Sequence, residues 1–216
     1  MKKLFLLVAV ITMSCSLIWA ADAAKQLDAA AGVLQNMTAS HQIPTALLKH
    51  AQCIAVIPNL TKAGFVVGGK HGNGVVSCRT SSGWSAPAFI TMTGGSVGLQ
   101  AGGAHQDLVL LMNSQGAQEL KNGHWDLGAE AAAAGPTSST ETTESTGWKA
   151  PVLSYGTSKG AFAGADVGGS KIGADDDMIH NLYGKDASFQ AILEGKVQPV
   201  GSAQQFLSSL EQVAGK

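Results

Sequence analysis

The stretch from Cys53 to Gly103 constrains the fold most, because glycines interrupt its short apolar runs at close intervals. It reads CIAVIPNLTKAGFVVGGKHGNGVVSCRTSSGWSAPAFITMTGGSVGLQAGG. Most of the 27 glycines of the chain lie between Gly64 and Gly173. Glycines inside strands are typical of bends, bulges and close backbone approach, which let a sheet curl. The stretch therefore predicts a mainly antiparallel, barrel-like sheet.

Two segments indicate individual strands of this sheet. Between Trp84 and Thr93, residues alternate between two unlike faces, one of them carrying Ala88, Ile90 and Met92. An alternation of period two is typical of a strand. The run 108–112 (LVLLM) is apolar on both faces and predicts a central strand that is covered on both sides.

Helices are predicted on both sides of the glycine-rich region. Amphipathic spacing and capping residues favour helices over 24–40, 44–50, 175–183, 186–193 and 202–213, the last beginning at a capping box of Ser202 and Gln205. The predicted fold class is α+β: a Gly-rich, antiparallel, β-barrel-like sheet flanked by N-terminal and C-terminal helices.

The N-terminus has the layout of a secretory signal peptide. Lys2 and Lys3 precede an apolar run, and Ala21-Asp22-Ala23 offers a cleavage site, with a cut after Ala20 as a variant. Residues 1–23 are then the signal and 24–216 a single domain exported to the periplasm. A retained membrane anchor is the first alternative. A lipoprotein anchored through Cys15 is the second, since Ser14 and Ser16 flank that cysteine.

Charge and composition exclude one class of partner. The whole chain has a net charge of −1, and a cut after Ala23 makes it −2 by removing Lys2, Lys3 and Asp22. There is no dense run of lysines or arginines to hold a phosphate backbone. We therefore expect no nucleic-acid partner.

Cys53 and Cys78 remain after processing. Export favours a disulfide between them, because the compartment is oxidising. Two buried thiols are the alternative. Neither cysteine has a second Cys or His at the spacing of a metal site.

Two enzyme motifs match only in part. Gly94–Gly98 fits G-x-S-x-G, but the residues that follow Ser96 are poor helix formers, whereas a nucleophile elbow requires a helix there. The segment from Gly64 to Lys70 lacks the hydroxyl residue that ends a phosphate-binding loop. The six histidines form no metal or catalytic pattern. We expect no enzyme, no cofactor and no metal.

An ordered set of short motifs resembles the SYLF domain family. The motifs are residues 63–69 (AGFVVGG), 72–76 (GNGVV), Arg79, 83–87 (GWSAP), 98–102 (GLQAG), 107–110 (DLVL), 155–160 (YGTSKG), 162–164 (FAG) and 181–184 (NLYG). The resemblance covers roughly residues 27–195. It implies a lipid-binding module, since eukaryotic members bind phosphoinositides and some bind actin, and it implies an exported protein, as bacterial members are.

The expected function is binding of lipid or phospholipid, including phosphoinositide-like headgroups, in the bacterial cell envelope. The candidate contact residues are Lys62, Phe65, Lys70, Arg79, Trp84, Lys159 and Lys171. If they converge at one rim of the barrel, the cations meet lipid phosphates and the aromatics meet the acyl boundary. The alternatives are ordinary surface lysines and, for the protein, an envelope scaffold that binds an unknown protein partner.

We expect the exported chain to begin at Ala21 or Ala24, because the signal peptidase reads the small residues before the cut. The intact mass of the secreted protein measures this. An N-terminal, acylated Cys15 would contradict it and place the protein on a membrane.

Overall fold

The computed structural model describes residues 2–64, 67–97, 104–128, 132–134, 149–158, 161–164 and 167–215. Its helices are α1 (Lys2–Ala39), α2 (Thr45–His50), α3 (Ser114–Lys121), α4 (Asp176–Tyr183), α5 (Phe189–Leu193) and α6 (Gln204–Ala214). Its strands are β1 (Cys53–Gly64), β2 (Val67–Thr80), β3 (Gly83–Trp84), β4 (Ala88–Val97), β5 (Ala104–Met112), β6 (His124–Leu127), β7 (Ala132–Ala134), β8 (Val152–Ser158), β9 (Ala161–Gly164) and β10 (Ser170–Ala174).

The described strands form one sheet in the order β6-β10-β4-β2-β1-β5-β8-β7, with β3 added to β2 and β9 to β8. Neighbours are antiparallel except β7 and β8. The sheet curls into a half-barrel between N-terminal and C-terminal helices, so the predicted α+β fold class is confirmed. The predicted central strand is β5, which lies between β1 and β8.

The sheet has an inner and an outer face. The inner face carries the buried apolar side chains Ile57, Ile90, Leu108, Trp125 and Ile172. The outer face carries buried side chains, among them Val75, Phe89 and Tyr155, as well as exposed polar residues such as His71 and Thr93. Gly74 also lies on the inner face. Only glycine fits at this position, because Ile57 and the Val56 carbonyl occupy the space that a side chain would need.

We name the two ends of the sheet by their contents. The hairpin end is where β1 stops at Gly64 and β2 starts at Val67. The disulfide end is where Cys53 on β1 faces Cys78 on β2. Between the ends, one extra residue in β1 forms a bulge at Asn59, which has φ 54°.

The predicted helices form, but α1 begins earlier and α5 begins later than predicted, and α3 was not predicted. α1 begins at Lys2, so one helix includes both the expected signal segment and the predicted first helix. Its predicted apolar stripe is buried: Leu27, Ala30, Ala31, Leu34 and Met37. Within the described residues, no helix is both long and apolar enough to cross a membrane.

The capping box predicted at Ser202 is wrong. Residues Gly201–Ala203 form a 3-10 turn that continues into α6, so Ser202 lies inside helical backbone and caps nothing. The acidic run before α4 does act as a cap, because the Asp175 carboxylate accepts a hydrogen bond from the Met178 N–H at 3.0 Å.

The predicted strand from Trp84 to Thr93 is interrupted. Residues 85–87 leave the sheet between β3 and β4, and Pro87 has no N–H to donate to a neighbouring strand. The Pro87 carbonyl instead accepts a hydrogen bond from the Tyr183 hydroxyl at 2.8 Å, and burial raises the pKa of that tyrosine. This contact attaches α4 to the start of β4.

Cys53 and Cys78 form a disulfide in the structure. They are directly opposite in the register of β1 and β2, their Cα atoms are 4.0 Å apart, and both side chains are buried. The bond closes a loop with a sequence separation of 25 that contains β1 and all but the last two residues of β2.

We expect the processed protein to contain no titratable thiol when it is unfolded without reductant. Reduction should lower the free energy of unfolding by about 3 kcal/mol, because the open loop gains entropy in the unfolded chain. Urea unfolding with and without a phosphine reductant measures the difference. Two titratable thiols in the unreduced protein would contradict the bond.

Candidate functional site: the inner face at the hairpin end

Two of the candidate lysines lie together on the inner face. Lys62 of β1 and Lys70 of β2 are directly opposite in register near the hairpin end. Side chains that face each other across antiparallel strands start about 5 Å apart at their Cβ atoms. Lys62 is half-buried, whereas Lys70 is 5% exposed and its Nζ donates to the Gly168 carbonyl at 3.3 Å.

The strand surface around these lysines is positive. Among the described strand residues that face inward at the hairpin end, Lys62 and Lys70 carry charge, and the others are apolar, glycine, serine or glutamine. The acidic strand residues described, Asp107 and Asp126, lie on the outer face. Within the described strands, the inner face at the hairpin end therefore carries two positive charges and no negative one, although the chain as a whole is slightly acidic.

Arg79 does not lie with these lysines. It is nine residues farther along β2, about 30 Å away at the rise of an extended strand, at the disulfide end. Its guanidinium donates to the carbonyls of Lys49 (3.2 Å), Ala51 (2.9 Å), Ala214 (2.7 Å) and Gly215 (3.4 Å). Those carbonyls terminate α2 and α6, where a cation is favourable. Burial lowers the pKa of Arg79 below its ordinary value.

Trp84 belongs to the same arrangement. Its indole Nε1 donates to the Gly215 carbonyl at 2.8 Å, and the Arg79 guanidinium lies 4.5 Å from the ring centroid. This geometry is a cation–π contact. For Arg79 and Trp84 the structure therefore favours a structural role at the helix ends over contact with lipid.

Lys171 lies on the outer face. It is 60% exposed and pairs with Asp126 of the neighbouring strand at 3.3 Å. The remaining candidates, Phe65 and Lys159, lie outside the described residues. Of the five candidates that lie within the described residues, Lys62 and Lys70 lie together on the inner face, and Arg79, Trp84 and Lys171 do not join them.

The outer face carries a polar row that sequence reasoning did not find. One residue from each of six neighbouring strands contributes, in the order Asp126, Lys171, Thr93, His71, Thr61 and His105. Thr61 Oγ1 and His105 Nδ1 are 3.3 Å apart. Across the described residues, no three His, Cys, Asp or Glu side chains gather as metal ligands would.

A crevice of about 340 Å³ lies between α1 and this polar row. It is lined by Asp22, Lys25, Gln26, Ala29, Pro58, Asn59, Thr61, His71, Gly72 and Asn73. Gln26 crosses it and donates to the Gly74 carbonyl at 3.0 Å, which ties α1 to β2. The signal for this crevice is absent from the sequence, because its two walls are far apart along the chain.

The described residues form an α+β half-barrel domain with two lysines paired on its inner face. A known family has this sequence pattern: the Ysc84 family, described as "Las17-binding protein actin regulator", matches residues 93–213. The chain belongs to this family, which is the SYLF family that its motifs resemble.

Several eukaryotic relatives align with most of the chain. Protein YSC84 of Saccharomyces cerevisiae is 35% identical over 187 residues, and LAS seventeen-binding protein 3 of the same yeast is 34% identical over 187 residues. Each alignment covers 83% of this chain and 40% of the relative. SH3 domain-containing YSC84-like protein 1 of Mus musculus is 32% identical over 179 residues, 81% of this chain and 52% of the relative. The chain thus spans about half or less of these relatives.

We expect Arg79→Lys to lower the free energy of unfolding by about 2 kcal/mol, because an ammonium cannot bond the carbonyls of both helix ends. Arg79 is the only arginine of the sequence, so no neighbour replaces it. Urea unfolding measures the change. Lys49→Ala, an exposed side chain on α2, is the control. Equal stability of the two variants would contradict the anchoring role.

Proposed function

We propose that this protein is a non-catalytic lipid-binding domain of the bacterial cell envelope. In this proposal the hairpin end contacts the headgroups of anionic phospholipids, phosphoinositide-like lipids included. The observation that carries the proposal is the in-register pair Lys62 and Lys70 on the inner face. Family membership supports it at a coarser level, since the resemblance implies lipid binding.

The proposed interaction is mainly electrostatic and weak. Two lysines near an anionic surface contribute about 1 kcal/mol each, and the Debye length at physiological salt is about 8 Å. The affinity is then high only where many weak contacts act together, as on a membrane.

We further propose export, with the signal removed after Ala20. A cut at that point keeps Ala23, whose side chain is fully buried, and Asp22, which lines the crevice beside α1. A cut after Ala23 removes both.

A second function is supported by a different observation. The exposed polar row on the outer face offers hydroxyl, imidazole and charged side chains that can form hydrogen bonds with a protein partner. The family description names Las17 binding and actin regulation, and both describe protein contacts of the relatives. In this alternative the domain is an envelope scaffold.

We expect the protein to co-sediment with phosphatidylcholine vesicles that contain phosphatidylglycerol, at low salt. Lys62→Ala should weaken this binding about fivefold, the effect of about 1 kcal/mol, and added salt should weaken it steeply. Lys171→Ala is the charge-matched control, because Lys171 lies on the outer face beside Asp126.

Three other results are informative. Equal effects of the two lysine variants would exclude the inner face as the contact. Binding that resists salt would indicate insertion of apolar side chains instead. An absence of binding to every vesicle at low salt would remove the lipid function and favour the scaffold.

A further inference from the structure

The crevice between α1 and the outer face is large enough for a small ligand. Its volume of about 340 Å³ falls in the lower part of the range of ligand sites. Two contacts hold its walls in place: Gln26 of α1 donates to the Gly74 carbonyl at 3.0 Å, and the bulge residue Asn59 donates its backbone N–H to Asp107 Oδ1 at 3.0 Å. The crevice is therefore formed before a ligand arrives, which reduces the entropy lost on binding.

The helix wall of the crevice carries one charge of each sign. Asp22 and Lys25 both line it, and because they are three residues apart on α1 they are neighbours on one face of the helix. Both side chains are exposed. Within the described part of the chain, neither of them takes part in an ion pair. A ligand in the crevice can therefore contact both charges.

The strand wall of the crevice offers uncharged hydrogen-bonding groups. Asn59 and Asn73 contribute amides, and Thr61 contributes a hydroxyl. The imidazole of His71 lies beside them. These groups can donate hydrogen bonds to the oxygens of an acid group. Because the helix wall brings one charge of each sign, a purely anionic or cationic ligand would meet a like charge, whereas a zwitterion satisfies both.

The crevice lies at the same distance from the hairpin end as the two inner-face lysines. Thr61 and His71 in its lining are opposite in register, and they are the chain neighbours of Lys62 and Lys70, which point to the other face. The proposed function brings those lysines to the headgroups of a membrane. Because consecutive residues of a strand are about 3.3 Å apart, an approach with the hairpin end first brings the crevice to the headgroups as well.

We propose that the crevice binds the phosphoethanolamine headgroup of a membrane phospholipid. This group is a zwitterion, an ammonium linked by an ethylene unit to a phosphodiester. The ammonium donates to the Asp22 carboxylate, and Lys25 and the strand wall bind the phosphate. Phosphatidylcholine carries the same charges, but its quaternary nitrogen has no N–H, so Asp22 favours phosphatidylethanolamine. The inference deepens the proposed function and rests on it for a membrane as the source of the group; a soluble glycerophosphodiester is the other source.

Selectivity between two neutral lipids tests the site. The processed chain is titrated with vesicles of fixed phosphatidylglycerol content that also contain phosphatidylcholine, phosphatidylethanolamine or its N-methylated derivatives. We expect phosphatidylethanolamine vesicles to bind about tenfold more tightly than phosphatidylcholine vesicles, the effect of a hydrogen bond between charged groups. The preference should fall as methyl groups replace N–H. Glycerophosphoethanolamine and glycylglycine are titrated in solution by calorimetry.

Asp22→Asn is the decisive variant. It removes the charge and keeps the size of an exposed side chain, so the midpoint of thermal unfolding should not fall. We expect it to abolish the preference for phosphatidylethanolamine. Asp28→Asn is the charge-matched control, because Asp28 is exposed on the same helix outside the crevice lining, and it should keep the preference. Lys25→Met should weaken binding to both lipids, because both carry the phosphate.

The outcomes separate the headgroup site from the lipid function. Vesicle binding without a preference, or with a preference that persists in Asp22→Asn, would overturn the site and keep the lipid function. Asp22-dependent binding of glycerophosphoethanolamine, without binding to any vesicle, would support the site and overturn the membrane function. Asp22-dependent binding of glycylglycine alone would overturn the headgroup and indicate a peptide ligand. If neither vesicles nor soluble zwitterions bind, both proposals are wrong.

Discussion

The register between β1 and β2 is the constraint on which the rest of the structure depends. The disulfide from Cys53 to Cys78 fixes that register at one end, and the paired lysines stand at the other. A slip of one residue would move every side chain of a strand to the opposite face. Lys70 would then point to solvent, and the polar row of the outer face would enter the core.

A side chain of the same hairpin also holds the ends of two helices. Arg79, one residue beyond Cys78, bonds the terminal carbonyls of α2 and α6 and stacks on Trp84. Its guanidinium is rigid and planar, so it joins several acceptors at once. The helices and the sheet are thereby connected at the disulfide end, whereas Lys62 and Lys70 lie at the hairpin end.

The two ends of the sheet differ in how firmly their residues are held. One end of the sheet is held by a covalent bond and by a dense set of hydrogen bonds, whereas the other carries the lysine pair and, on its outer face, the crevice beside α1. A site in which donors are held in place before the ligand arrives loses less entropy on binding.

Local sequence determined the α+β class, the curled sheet and most helices, because glycine spacing, a period of two and capping residues act over a few positions. It missed the 3-10 turn Gly201–Ala203, which places Ser202 inside helical backbone. Only the structure showed that Arg79 and Lys70 do not lie together. They are nine residues apart on the same extended strand, so they lie toward its opposite ends. Likewise, the order β2-β4-β10 places Lys70 beside Ser170, a hundred positions later, because strand neighbours are set by long-range pairing that no local pattern encodes.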